Sequence, residues 1–540
     1  MQSRYAGRRS FSSHLVRNDI SFMIEFTSMQ KVDIALIGSG VACTATLTEV
    51  FRKLVDGVPG QQKISITVIE KHEEFWLGIP YGSRSSVNAL TITSIADFFT
   101  DENRRALFFE WFSLHKDAII EEYLLNGGLS AKLWLERNGK AMANNDWKNV
   151  YLPRFIFGRY YREIFNGLLK TVTEKQLAEV TLINAEGIDA KTVDGGYEVT
   201  YENHDKTIGK LTAAKLVIAT GSAPVRDVTV PDTKAVSFIN NLYEPRVDDN
   251  IKKLTEALSS VKNAADRNVL IIGTNASSIE FLYLLAGLPE ITGMINKLVL
   301  ISRSGLLPYH IIDKKLDSYP CENLDKLKAE GNYNITTLVE AAAQDLKPAV
   351  KDGVIIPYID RIIGYTIELL QSLDEDAKKA FLGIHGMQLS NQFRRSGTDY
   401  KGGEAVLHEI EKLTLLKGAF EKIGPFANGG VLHYTDSDTG EHKLFASPFK
   451  VVINCTGADD LDKSTSRIIY NLVHNKIAEV NLSGKGFYVD EKFQAAPNLY
   501  IMGPLLGGNM NSRIHFWHLE NASRIMYLAP FLAECLLEKL

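Results

Sequence analysis

The chain has 540 residues, 45% of them hydrophobic, enough for two or more domains with cores of their own. A net charge of −5 argues against a general nucleic-acid or anionic-membrane surface. No apolar run approaches the ~18 residues of a membrane span, and Cys43, Cys321, Cys455 and Cys535 are scattered with no C-x-x-C. That pattern excludes a zinc knuckle and a redox dithiol, and it suits a reducing, cytoplasmic setting.

Residues 1–29 are rich in Arg and Ser, with no acid before Asp19. They read as a disordered extension or, alternatively, as a targeting segment, with Met29 standing directly before the first strand. Lys31 to Gly40 (KVDIALIGSG) is an apolar strand running into glycines. VACTATLTEVFRKLV follows with helical spacing, and KISITVIEK returns as a second strand ending in Glu70. This is a βαβ unit of the kind that builds a parallel sheet.

The residue types in the turn Gly38–Ser39–Gly40 fit a dinucleotide. Gly38 permits the sharp bend, Gly40 lets the backbone approach a pyrophosphate, and the small Cys43 lets the helix pack on the strand. The helix N-terminus then offers free N–H groups to phosphate, and Glu70 is placed to accept from ribose hydroxyls.

LVIATGSAP places an apolar strand before a Thr-Gly turn at Gly221. NVLIIGTNASSIEFLYLL repeats the strand–turn–helix outline from Asn268, with Gly273 first. Asn275 and Ser278 stand where further glycines are usual. Serine is small enough for helix packing, while Asn275 can adopt a left-handed conformation, at a cost glycine does not carry. The next strand, KLVLIS, ends in Ser302 and Arg303 rather than an acid. Arg303 either pairs with a 2′-phosphate, which favours NADPH over NADH, or is a solvated loop cation.

Residues 310–424 form a largely helical insertion, with YIDRIIGYTIELLQ as one helix and Ser372–Glu375 (SLDE) as a capping box for the next. It shapes a substrate pocket or decorates the packing. VVINCTGADD repeats the Thr-Gly turn at Gly457, and PNLYIMGPLLGG brings another strand into glycine at Gly503 and Pro504. That last turn is expected to open a helical segment, NSRIHFWHLENASRIMYLAPFLAECLL, and to close over the first dinucleotide. His515 and His518 would share a face of this helix near Glu520, in a packing or flavin-facing role rather than as zinc ligands. His72-Glu73-Glu74 reads as an exposed turn.

In number and order these motifs resemble the two-dinucleotide flavoproteins. They are most similar to the FAD/NAD(P)-binding group that includes flavin urate hydroxylases and aspartate N-monooxygenases. The resemblance is carried by Gly78–Thr91 (GIPYGSRSSVNALT), Tyr151–Tyr161 (YLPRFIFGRYY) and Ile301–Pro308 (ISRSGLLP), together with the glycine turns. It implies an α/β fold with two Rossmann-like domains, one for FAD and one for NAD(P)H, and a helical insertion. The expected division is 30–265 and 441–540 for FAD and 266–440 for NAD(P).

The resemblance adds Tyr81, Gly82 and Asn88 to the cofactor residues, although a loop Asn can equally bond its own backbone. Arg154 and Arg394 would hold an anionic substrate or an NADPH phosphate, or would be solvated or in surface pairs. The activity implied is NADPH-dependent hydroxylation of a small polar substrate by dioxygen through a flavin hydroperoxide. The alternatives are an FAD oxidase or dehydrogenase with a vestigial second site, and an FAD-bound scaffold or redox sensor.

Overall fold

A computed structural model describes residues 30–57, 62–99, 101–147, 150–231, 235–312, 320–351, 353–426, 429–516 and 521–538. The segment 1–29 and the residues His518 and Glu520 lie outside them, as does the side chain of His515.

The first sheet runs β1-β2-β3-β4-β5-β16-β15, with β1 also paired to β5. Its members are β1 (Gln30–Ile37), β2 (Ile64–Glu70), β3 (Ala178–Val193), β4 (Gly196–Asn203), β5 (Ile208–Ile218), β15 (Gln494–Ala496) and β16 (Leu499–Ile501). Strands β3, β2, β1, β5 and β16 are parallel neighbours. Their apolar runs are buried because helices cover the layer, as parallel sheets require. Halfway along, β3 changes partner: Ala178–Asn184 lie parallel to β2, and Ala185–Val193 turn into an antiparallel meander with β4 and β5.

The second sheet repeats this plan, in the order β13-β12-β11-β8-β7-β14-β6. Its members are β6 (Ser237–Ile239), β7 (Asn268–Ile272), β8 (Lys297–Ser302), β11 (Leu413–Phe426), β12 (Gly429–Asp436), β13 (His442–Leu444) and β14 (Val451–Asn454). β11 behaves like β3: Leu413–Lys417 run parallel to β8, and Gly418–Phe426 pair antiparallel with β12. Two Rossmann-like units, each with an antiparallel meander on a long switching strand, are thus built by one chain, the second inserted between β5 and β15.

Several expected boundaries move. β6 and β14 belong to the second sheet, on the far side of the boundaries at 266 and 440. The helical material after residue 310 ends at Glu409, and Leu413–Phe426 is strand, because β8 offers it an open parallel edge.

The helices between β8 and β11, chiefly Glu322–Glu330, Ile335–Lys351 and Ile356–Gln371, bury a core of their own around Leu338, Tyr358, Ile362 and Phe381. A helix does start after SLDE, but its cap is Asp374, whose carboxylate accepts the Ala377 N–H at 2.8 Å. Ser372 instead closes the preceding helix by donating to the Leu369 carbonyl. Two short ribbons complete the set, β9 (Tyr309–His310) with β10 (Arg395–Ser396), and β17 (Asn509–Met510) with β18 (His515–Phe516).

The second ribbon overturns the long C-terminal helix. Gly503 opens only a single 3-10 turn, Pro504–Leu506, and the helix begins at Ala522. His515 is a strand residue and not a helical one. Among the described residues no helix is long and apolar enough to cross a membrane, and no group of three His, Cys, Asp or Glu side chains is placed to hold a metal.

Candidate functional site

The two expected turns have matching geometry. Gly38 has φ +93° and donates its N–H to the Ile69 carbonyl at 2.8 Å. Gly273 has φ +106° and donates to Ile301 at the same distance. Each lies flat against the strand end that leads to a Thr-Gly crossover. A Cβ on Gly38 would sit 2.5 Å from the Ala219 oxygen, and one on Gly273 would sit 2.3 Å from the Cys455 oxygen. Only glycine tolerates both the dihedral and the contact.

Past each turn a helix starts with its N-terminus open, Val41–Asp56 capped by Gly40 and Ala276–Ala286 capped by Asn275. Neither cap uses a side-chain bond, so no capping side chain competes with an anion for the N–H groups at the helix start. Asn275 does not use the left-handed conformation open to it: its φ −91°, ψ −164° is ordinary extended backbone, close to the φ −71°, ψ −167° of Gly40. The second glycine position calls for a missing side chain, and not for a left-handed backbone.

The first turn has the space a dinucleotide needs. A Cβ on Gly40 would meet only the Gly78 Cα, at 3.6 Å, so the protein's own packing does not demand glycine there. Gly78, at φ +61°, faces it from the segment Gly78–Tyr81, and Gly221, at φ +81°, has nothing within 4 Å of its Cβ position. Three buried polar atoms nearby in sequence, Ser85 Oγ, Asn88 Oδ1 and Thr220 Oγ1, have no hydrogen-bond partner. Such atoms are costly unless something satisfies them. Gly503, at φ +94°, lies against the start of the first helix, where a Cβ on it would sit 3.1 Å from that of Ala42.

Glu70 lies at the strand end, but much of its carboxylate is already engaged. It accepts the Ser39 N–H at 2.7 Å, the Ser39 hydroxyl at 3.0 Å and the His72 N–H at 3.0 Å. It braces the turn, and one lone pair remains for a ribose hydroxyl. Cys43 is fully buried, and burial, reinforced by the Glu70 charge, pushes its thiol up. Gly82 caps the short helix ending at Tyr81, with its N–H on the Gly78 carbonyl.

His72 is not on an exposed turn. It is half-buried with Nε2 2.6 Å from Arg84, and burial together with that guanidinium lowers its pKa to about 4. Asn88 is pinned by a bond from Nδ2 to the Gly127 carbonyl at 3.1 Å, with Oδ1 left over.

At the second turn Ser278 is fully buried and donates to the Gly273 carbonyl at 2.9 Å, filling the small-residue position. Burial pushes the neighbouring Cys455 thiol up to about 12. Gly457 has φ +82° and open space, as Gly221 has. Arg303 is exposed beside the turn, just after Ser302, whose hydroxyl accepts from Thr274 at 2.9 Å. The two crossovers run side by side: Val225 bridges Ala458, and Arg226 donates its N–H to the Gly457 carbonyl at 3.0 Å.

Arg154 is neither solvated nor in a surface pair, and it is not free to take a substrate. Its Nη2 lies 2.6 Å from Glu280 Oε2, and its Nε donates to the Leu90 carbonyl at 2.7 Å. Burial alone would lower its pKa, yet the Glu280 carboxylate holds it above the ordinary value. Arg394 stands at the start of the β9–β10 ribbon, where its carbonyl accepts the Tyr309 N–H at 2.6 Å.

The motif reading misses Glu280, and it quotes Gly78 without the place opposite Gly40 that the structure gives it. The signal for Glu280 was present: one carboxylate in the apolar helix ASSIEFLYLLA must be buried, and a buried carboxylate needs partners.

The geometry agrees with three comparisons. Residues 35–223 match the model of an FAD-NAD(P)-binding family. Rv3403c of Mycobacterium tuberculosis, described as an uncharacterized protein, is 32% identical over 511 residues, which is 94% of this chain and 96% of the relative. A Mycobacterium bovis protein matches to the same extent. Among solved structures, the ornithine hydroxylase PvdA of Pseudomonas aeruginosa in its reduced form superposes with a TM-score of 0.55 at 12% identity, covering 94% of this chain and 99% of that one. The ornithine N-hydroxylase KtzI of Kutzneria sp. 744, solved with reduced FAD, NADP+ and L-ornithine, gives 0.53 at 14% identity with the same coverage. At such identities the likeness establishes the fold.

Proposed function

The chain belongs to the family of those full-length mycobacterial relatives and has the two-dinucleotide flavoprotein fold; from that premise we propose that it is an FAD-dependent, NADPH-using monooxygenase acting on a small polar substrate, at nitrogen. The observation that carries this reading is the repeated turn geometry, Gly38 with Gly221 and Gly273 with Gly457, which gives one chain two places to lay a pyrophosphate on a helix N-terminus. The ornithine N-hydroxylases that share the fold support the choice of nitrogen.

The first turn holds FAD. Gly40, Gly78 and Gly221 leave room for its pyrophosphate, the spare Glu70 lone pair takes a ribose hydroxyl, and Gly503 covers it. Bound there, the flavin supplies hydride acceptance and, once reduced, reaction with dioxygen. The second turn holds NADPH, with Ser278 giving helix packing and the exposed Arg303 meeting the 2′-phosphate. The protein's own share is binding, orientation and exclusion of water, so no acid–base cluster is needed.

The side chain of Asn275 favours a second reading, in which the NADPH turn has decayed and the flavin serves an oxidase or dehydrogenase. Anaerobic titration separates the two. Faster bleaching of the yellow protein by NADPH than by NADH, followed by substrate-stimulated NADPH oxidation in air, is the outcome expected of the monooxygenase. A yellow protein that neither coenzyme bleaches sinks it.

A further inference from the structure

We propose that Arg154 and Glu280 are positioning residues that set the second dinucleotide turn in register with the first. The inference rests on the two-nucleotide reading above and gives a role to a buried ion pair that neither turn uses.

Arg154 is the first residue of the helix Arg154–Glu174, whose next turn presses on the first site. A Cβ on Gly158 would sit 2.6 Å from the Tyr81 carbonyl oxygen, and the Phe157 ring centroid lies 5.0 Å from that of Tyr81. Tyr81 ends the segment that Gly78 begins, and Gly78 faces Gly40. From Arg154 a continuous packed path therefore reaches the first pyrophosphate turn. Glu280 lies on the helix that Asn275 caps, little more than one turn in from the second pyrophosphate turn. The 2.6 Å ion pair joins these two rigid paths.

The pair is held by two tyrosines as well. Tyr243, between β6 and the helix Val247–Ser259, donates its hydroxyl to Glu280 Oε1 at 3.1 Å. Tyr400, on the helix Thr398–Glu409, accepts the Leu90 N–H at 2.9 Å and shares its single proton between the Leu90 carbonyl at 3.0 Å and Glu280 Oε2 at 3.3 Å. Glu280 is 2% exposed. A buried pair of this kind is weak evidence for stability, since apolar residues of similar volume often serve as well. What it adds is geometry, because the charge-assisted bond fixes distance and angle where apolar packing tolerates sliding. Hydride transfer is sensitive to such placement, a misfit of about 1 Å costing on the order of 100-fold.

The test compares the wild type with Glu280→Gln and with the milder Tyr243→Phe and Tyr400→Phe. It reads FAD content, bleaching by dithionite, the rate of flavin reduction against NADPH concentration, and amide exchange over 88–94 and 276–286. In Glu280→Gln, FAD content and dithionite bleaching stay at wild-type levels. The limiting rate with NADPH falls about ten-fold or more, while the half-saturating NADPH concentration moves less than about three-fold, as expected of misplacement rather than lost binding. Exchange rises in both segments.

A limiting rate within two-fold of wild type, accompanied only by a lower melting temperature, would make the network a simple staple and overturn the proposal. Should Glu280→Gln not fold, the tyrosine variants carry the same comparison with smaller effects in the same direction. If NADPH does not bleach the wild type, the functional reading has failed, and exchange alone decides. Increases in both segments keep the positioning role, and an increase confined to 276–286 ends it.

Discussion

Asn275 holds the backbone conformation of Gly40, and the two residues differ only in what projects from it. Both cap the helix that follows a glycine turn, with φ −91°, ψ −164° in Asn275 and φ −71°, ψ −167° in Gly40. The substitution therefore carries no backbone strain, and its consequence is confined to the space above the helix N-terminus.

Asn275→Gly should bring an NADPH pyrophosphate closer to the first-turn N–H groups. Anion–helix interactions of about 0.5 to 1 kcal/mol correspond to roughly two- to five-fold tighter binding. Helix stability should change by only a few tenths of a kcal/mol, the usual cost of Asn to Gly at a cap. Fluorescence titration with NADPH checks the first part and chemical denaturation the second. The converse change, Gly40→Asn, should leave the chain folded and lower its FAD content, since nothing but Gly78 lies near the added Cβ.

Gly38, Gly221 and Gly273 all have positive φ, but only Gly38 and Gly273 face a carbonyl oxygen within 2.5 Å of a Cβ. Alanine at Gly221 should cost about 1 to 2 kcal/mol, the penalty of the left-handed region alone. Alanine at Gly38 or Gly273 adds overpacking, for a total of about 2 to 4 kcal/mol. Urea unfolding of the three variants should therefore rank Gly221→Ala as the mildest; equal losses at all three would mean the strand ends move aside freely.

The parts of the fold that were legible in the sequence are those fixed by short-range pattern. An apolar run entering glycine and followed by helical spacing can be read without knowing the rest of the chain, and both dinucleotide units were read that way. β6, only Ser237–Ile239, could not be read so, because such a piece becomes a strand only when β14 arrives beside it. Leu413–Phe426 was hidden by its Gly418 and Pro425 and by the helices before it, and its partner β8 lies on the far side of the insertion. In the site, glycines declare themselves by type. The pairing of Arg154 with Glu280 is a tertiary fact, since charged residues announce a need for partners without naming them.

The helix after Leu373 offers a compact check on one such misreading. Both Ser372 and Asp374 are capping residue types, and the S-x-x-E spacing points to Ser372. In the structure Asp374 is the cap and Ser372 bonds backwards to Leu369. Asp374→Ala should cost about 1 kcal/mol of stability, and Ser372→Ala appreciably less. A larger loss from Ser372→Ala would restore the capping-box assignment.

The pH dependence of stability should carry the signature of His72. Burial, with the Arg84 guanidinium 2.6 Å from Nε2, lowers its pKa from 6.5 to about 4 in the folded chain. Between these values the unfolded chain binds the proton and the folded chain does not, so stability falls as the pH falls. The contribution is complete above pH 6.5 and is lost progressively on acidification towards pH 4. Protonation would place a second cation against Arg84 beside the Glu70 strand end, so the first turn should loosen in the same window. His72→Gln keeps an acceptor for Arg84 without a titrating group, and should show a flatter stability profile between pH 6.5 and pH 4 than the wild type. Melting temperatures across that range decide the matter: parallel profiles for the two proteins would assign the acid sensitivity to other groups.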